Sequence, residues 1–266
     1  MKVQRFAISL AMSLAFLAAV PAMNAPRAFA SQAGQDARGQ NDRQIQSHLA
    51  QEFNKSRFRN IKVSVSEGIV SLTGSVDLFA DKDDAEKMAH HVKNSIAVRN
   101  NVRVSGAQIS DSGLQAELVK KLEYDRVGYG TTTFNAISVQ VREGTVLLTG
   151  HAYSPTDKSS ALSVASYTPG VQDVVDEIEV DPPSPMDDRI RLNVARLIYG
   201  YPSLMKYSID PGRPIRISVQ NGKVTLYGVV DTAADRDTAF IRANSAQGVF
   251  KVTNELKVEN QILERD

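Results

Sequence analysis

The stretch Ile61-Lys62-Val63-Ser64-Val65-Ser66-Glu67-Gly68-Ile69-Val70-Ser71-Leu72-Thr73-Gly74 decides the fold, because its pattern returns twice. Ile137, Val139, Val141, Gly144, Val146, Leu148 and Gly150 repeat its apolar and glycine positions, and so do Ile215, Ile217, Val219, Gly222, Val224, Leu226 and Gly228. The offsets are 76 and then 78. Each copy alternates apolar and polar residues on both sides of Glu67-Gly68, Glu143-Gly144 or Asn221-Gly222. That pattern predicts a β-hairpin with one apolar face, closed by a dipeptide suited to the positive φ angles of a tight turn. The offsets persist downstream, where Val98, Val102 and Val104 map onto Val174, Ile178 and Val180 and then onto Val252, Leu256 and Val258. The repeating unit is therefore larger than the hairpin.

Upstream of each hairpin, apolar residues fall every fourth position: Ile45, Leu49, Phe53; Leu114, Leu118, Leu122; Ile190, Val194, Ile198. This is the stripe of an amphipathic helix. A second helix is expected after each hairpin, capped by Asp77, Ser154 or Asp231, with Asp81, Asp157 and Asp235 in its first turn complementing the helix dipole. The pairs Ala85/Ala89, Ala161/Ala165 and Ala239/Ala243 let that helix approach a sheet closely, and a strand of alternating valines ends each copy. The fold class is thus α+β. Three tandem small modules are expected, each helix-strand-strand-helix-strand with two helices packed on a three-stranded sheet, over residues 42–105, 111–181 and 187–260. A domain of this size buries only about 60% of the surface its unfolded chain exposes, so neighbouring modules should support one another. The proline-rich link Asp181-Pro-Pro-Ser-Pro-Met186 is expected to hold the second and third modules apart.

Residues 1–30 read as a signal peptide, with Lys2 and Arg5 before an apolar run from Phe6 to Val20 and Ala28-Phe29-Ala30 as the cleavage pattern. The run is shorter than the roughly 20 residues that span a bilayer, and no later segment is long enough, so no transmembrane segment is expected after cleavage. Residues 31–41 read as a flexible polar leader. The implied location is periplasmic or secreted. The chain has no cysteine, which excludes a disulfide framework, thiol catalysis and thiolate metal sites, and also a lipid-modified N-terminal cysteine.

The residues offer little to catalysis. The histidines are His48, His90, His91 and His151; adjacent His90 and His91 diverge by about 100° on a helix and cannot chelate one metal. His48 stands one turn before Glu52 without a nucleophile in any recognisable frame. The evenly spaced glycines flank a strand, whereas a phosphate cradle needs a loop feeding a helix N-terminus. No metal, no cofactor and no enzymatic activity are expected, and the formal net charge of +1 gives no reason to expect a nucleic-acid partner.

The variation between copies lies in the connection from the first helix to the first strand. In the first copy it is short and basic, with Lys55, Arg57, Phe58, Arg59 and Lys62; this is a candidate lipid-binding cluster. In the second it runs from Tyr124 to Ala136 with Tyr129 and Phe134. The third carries Tyr199, Tyr201, Leu204, Met205 and Tyr207. These aromatics either cap the sheet end and fill contacts between modules, or form a partner or membrane loop. Charge differs too: residues 42–105 carry 10 basic and 8 acidic side chains, 106–186 carry 5 and 11, and 187–266 carry 12 and 10. An anionic surface would attract the outer copies and repel the middle one.

Taken together, the Gly-x-Val-x-Leu-x-Gly core, the alanine-spaced second helix and the closing Val-x-x-Val-x-x-x-Leu-x-Val resemble the BON domain of bacterial envelope proteins. The third copy matches most closely, over Gly248-Val249-Phe250-Lys251-Val252-Thr253-Asn254-Glu255-Leu256-Lys257-Val258. The second has Pro169-Gly170-Val171, whereas the first has Asn94-Ser95 where Gly-Val is expected, and Arg242 of the third replaces Met88 and Val164. The resemblance implies an osmotic-stress protein of the periplasm. It also implies association with phospholipid surfaces, envelope integrity or the chaperoning of outer-membrane proteins, with roles in channels, secretion pores and potassium sensing elsewhere in the family. The expected function is non-catalytic binding of an anionic phospholipid surface; the alternative is a periplasmic chaperone or assembly partner for outer-membrane or secreted proteins.

Overall fold

The computed structural model describes residues 28–127 and 130–259. Apart from Ala28–Ala30, the expected signal peptide lies outside them, and so does Tyr129. The first module comprises α1 (Ala28–Glu52), β1 (Ile61–Ser66), β2 (Ile69–Val76), α2 (Phe79–His91) and β3 (Ala97–Val104). The second comprises α3 (Asp111–Tyr124), β4 (Ala136–Arg142), β5 (Thr145–Ala152), α4 (Pro155–Ser166) and β6 (Asp173–Val180). The third comprises α5 (Pro185–Tyr199), α6 (Lys206–Ile209), β7 (Arg216–Gln220), β8 (Lys223–Val230), α7 (Ala233–Asn244) and β9 (Lys251–Val258). Residues 31–41, expected as a leader, belong to α1, in a stretch that contains no proline to break the helix.

Each sheet has three strands in sequence order, with the hairpin antiparallel and the last strand parallel to the middle one. Parallel neighbours need a crossover, which the second helix of each module supplies. Both residues of every hairpin turn have positive φ: Glu67 53° and Gly68 77°, Glu143 52° and Gly144 73°, Asn221 52° and Gly222 73°. Gly74 has another role: a Cβ there would lie 2.0 Å from the Asn60 carbonyl oxygen, so only glycine lets β2 pass the start of β1. Asn94 takes φ 69° where Gly170 and Gly248 take 94° and 88°, so the first module keeps the turn with a residue that tolerates the left-handed region.

The helix stripes meet the apolar hairpin faces in three cores, with Val70, Val146 and Val224 buried in separate ones. Each fully buried Val, Leu or Ile contributes about 1.5–3 kcal/mol. Ser154 caps α4 as expected. The other two caps fall one residue later than expected: Leu78 precedes α2 without a side-chain bond, and Thr232 caps α7 by accepting from the Asp235 amide.

The proline link does not hold the second and third modules apart. Pro182 and Pro183 lead straight to Ser184, which caps α5 while Pro185 occupies its first turn, and this short connection brings β7 against the second module. Phe134 and Tyr153 of the second module pack against the third core, while Phe79 of the first packs against the second.

Candidate functional site

The aspartate in the first turn of each second helix holds the variable connection. In the first module the Arg57 guanidinium donates to Asp81 at 3.2 Å and to Asp84 at 2.8 Å, lies over the Phe58 ring at 4.4 Å, and leaves Phe58 buried. In the second, Asp157 accepts from Thr131 at 2.8 Å and Asn135 at 3.1 Å, pairs with Arg126 at 2.6 Å, and accepts from the Ser154 hydroxyl. In the third, Asp235 accepts from Lys206 at 3.0 Å and from the Tyr207 hydroxyl at 2.9 Å. Burial pushes all three carboxyls up. Hydrogen bonds from Ser154, Thr131 and Asn135 outweigh it at Asp157, and those from Lys206, Tyr207 and Thr232 outweigh it at Asp235, so both stand below the ordinary range. At Asp81 burial prevails over Arg57 and the carboxyl stands above it.

The aromatic connection of the third module turns inward for the same reason. Leu204 and Tyr207 are buried in the third core, Tyr199 donates to the Ile215 carbonyl at 2.6 Å, and Tyr201 lies 4.0 Å beneath the Arg242 guanidinium, which accounts for arginine at that repeat position. Burial pushes the Tyr199 hydroxyl up to about 12. Met205 alone of the five candidate residues is exposed. Of the basic candidates, Arg57 is committed to its aspartates, Lys55 reaches Glu52 at 3.5 Å, and Arg59 and Lys62 are exposed.

Lys62 belongs to a surface that the helices do not cover. On the outer face of the first sheet, Lys62, Arg99 and Arg103 are exposed among Ser64, Ser66, Ser71, Thr73 and Asn101. None of the three cations has an ion-pair partner among the described residues. The matching face of the second sheet presents Asp173, Glu177 and Glu179 along β6. That of the third presents Lys223, Lys251 and Lys257 with Glu255.

A seam joins the second and third modules. Asp181 is buried there and accepts from Gln220 at 2.8 Å, Arg191 at 3.1 Å and Ser218 at 3.1 Å, with His151 Nδ1 3.5 Å away. The Arg216 guanidinium reaches across to the carbonyls of Thr132 and Asn135 at 2.9 and 2.8 Å. Burial pushes Asp181 up, but the bonds from His151, Gln220 and Arg191 hold it below the ordinary carboxylate range. The same contact with Asp181 raises His151.

The family model for the BON domain matches residues 41–106, 110–182 and 202–260, one segment in each module. The chain belongs to the BON-domain family. It is 25% identical over 200 residues to Osmotically-inducible protein Y of Escherichia coli (strain K12), covering 75% of this chain and 98% of that protein. Among solved structures it is similar to CdsD, a structural protein of the type III secretion system of Chlamydia trachomatis, at 16% identity, covering 83% of this chain and 94% of that one with a TM-score of 0.23. The C-terminal domain of CdsD, again at a TM-score of 0.23, is matched at 16% identity over 80% of this chain and 94% of that one. At such scores neither likeness carries a structural argument.

Within these BON modules one set of residues was missed by sequence reasoning. Asp42 accepts both turn amides of Glu67 and Gly68 at 2.8 Å, Asp111 accepts those of Glu143 and Gly144 at 2.7 and 2.9 Å, and Asp187 accepts those of Asn221 and Gly222 at 3.0 and 2.8 Å. An acid three residues before each helix stripe, at Ile45, Leu114 and Ile190, was the available signal. Among the described residues there is no cluster of acids and histidines that could hold a metal, and no helix is long and apolar enough to cross a membrane.

Proposed function

We propose that this BON protein is an exported periplasmic protein of the osmotic-stress type that acts without catalysis, by resting its outer modules on anionic phospholipid. The observation that carries this reading is the outer face of the first sheet, where Lys62, Arg99 and Arg103 stand exposed, without an ion-pair partner among the described residues, while the same face of the second sheet is acidic. Arg99 and Arg103 are four residues apart on one strand, about 13 Å, and Lys62 lies two strand spacings, roughly 10 Å, from Asn101 between them. One phosphate cannot bridge such distances. A planar array of headgroups can, and the small serine and threonine side chains between the cations keep the face flat enough to meet it.

Each cation near an anionic surface is worth about 1 kcal/mol, so three give on the order of a hundredfold partitioning at low salt. The assay is co-sedimentation of the intact protein with phosphatidylglycerol-containing and purely phosphatidylcholine vesicles at two salt concentrations. Binding is expected to the anionic vesicles alone and to weaken with salt; equal binding to both, or none, refutes the reading. The alternative, a chaperone or assembly partner, draws less support from the apolar connection of the third module, because Leu204 and Tyr207 there are buried.

A further inference from the structure

The modules differ in apolar exposure at one repeat position, the residue whose amide donates to the glycine carbonyl of the hairpin turn. Ile96 donates to Gly68 at 2.9 Å, Gln172 to Gly144 at 2.9 Å, and Phe250 to Gly222 at 2.8 Å. All three side chains sit on the turn glycine, where a Cβ would meet Ile96 Cδ1 at 2.9 Å, Gln172 Cγ at 2.6 Å or Phe250 Cβ at 3.6 Å. Ile96 is 77% exposed and Phe250 81%, the two most exposed large apolar residues among those described. Neither fills a core or a seam.

Their surroundings follow the same division. Lys93 and Arg99 lie three residues either side of Ile96 in sequence, and Arg38 lines the same surface hollow as Ile96 together with the acids Asp42 and Glu67. Next to Phe250, Lys251 faces Lys223 across β9 and β8, and the turn residue is Asn221. Gln172 is followed by Asp173, with Glu143 in the turn and Arg142 beside it.

We infer that Ile96 and Phe250 are the points at which the hairpin ends of the outer modules enter the interfacial region of an anionic bilayer, and that the middle module lacks such a point. A single exposed apolar side chain at the end of a sheet that carries cations on its outer face gains from leaving water while the cations stay at headgroup depth. This inference rests on the lipid-surface reading above and adds to it the depth, the residues and the modules that make contact. A protein groove would need a matching shape to cover one exposed side chain, whereas a fluid interface accepts it without one.

The protein has no tryptophan, so Ile96→Trp, Phe250→Trp and Gln172→Trp each place one reporter in the intact chain. With phosphatidylglycerol vesicles, emission at 96 and 250 is expected to shift to the blue and to be quenched by shallow bilayer quenchers, while emission at 172 stays unchanged. In the tryptophan-free chain, Ile96→Gln and Phe250→Gln should each lower vesicle partitioning about tenfold, and together by roughly a hundredfold. Both copy the residue that the middle module already carries there, so folding is preserved. If the protein sediments with anionic vesicles but the reporters at 96 and 250 stay in water, or the double variant binds as before, the insertion points are wrong and the lipid reading survives. If the unaltered protein does not sediment, both fall.

Discussion

The middle module and its two neighbours share one frame and differ in what they show to solvent. Asp111 clamps its hairpin turn as Asp42 and Asp187 clamp theirs, and its turn angles agree with theirs within a few degrees. Yet its outer sheet face is acidic where the first is basic, and its turn-end residue is Gln172 where the others carry Ile96 and Phe250. Positions that the backbone requires are held in all three copies, and the copies differ in side chains that the backbone does not need. The middle module also meets the third through Phe134 and Asp181, and Arg216 reaches back to it from the third.

The sharpest way to break that comparison is Val146→Asp, which buries a carboxylate in the second core at a cost of several kcal/mol, comparable with the stability of so small a domain. Hydrogen exchange should show the second module open, the third weakened through the shared seam, and the first largely protected. An unchanged cooperative melt would show that the cores are not separate. Next in size, Phe134→Ala should cost about 3 kcal/mol and act on the third module, whose core the ring joins, as well as on its own. Phe58→Ala is the matched control in the first module, where the ring belongs only to its own core. Limited proteolysis of the two variants distinguishes these outcomes, since cleavage in 215–230 should rise only for Phe134→Ala.

The smallest effect concerns pH. His151 is raised by its hydrogen bond to Asp181 and by the charges of Asp181 and Glu179, against burial, and Gln220 and the Tyr227 ring complete its surroundings. A raised histidine contributes stability that is fully present below its ordinary value and is lost as pH rises through the raised one. The seam should therefore be up to about 1 kcal/mol weaker at pH 8 than at pH 5.5, because Gln220, Ser218 and Arg191 still hold Asp181 when the imidazole is neutral. Urea unfolding of the protein and of His151→Ala at both pH values tests this, with the pH difference expected to vanish in the variant. Asp181 works in the opposite sense, its stabilisation being lost only as pH falls through its lowered value.

Much of this architecture was legible because it rests on local rules. Alternation, paired positive-φ turn residues, alanine spacing and helix stripes each require particular residue types at fixed intervals, and threefold repetition separated them from chance. The connections were not legible. Arg57, Phe58, Leu204 and Tyr207 have the composition of a binding loop, yet a first-turn aspartate distant in sequence draws each connection onto its own module. The proline link misled for a related reason: Pro185 starts a helix where an extended spacer was expected. The open sheet face was only partly visible, since Lys62 was singled out by its neighbours in sequence, whereas Arg99 and Arg103 join it through strand pairing.

The division of labour between outer and middle modules is tested most directly by hydrogen exchange of the intact protein with and without phosphatidylglycerol vesicles, at a lipid concentration where all of it sediments. The account predicts added protection over 93–99 and 247–253 and none over the equivalent 169–175. Equal protection at all three hairpin ends, or protection at the middle one alone, would contradict it.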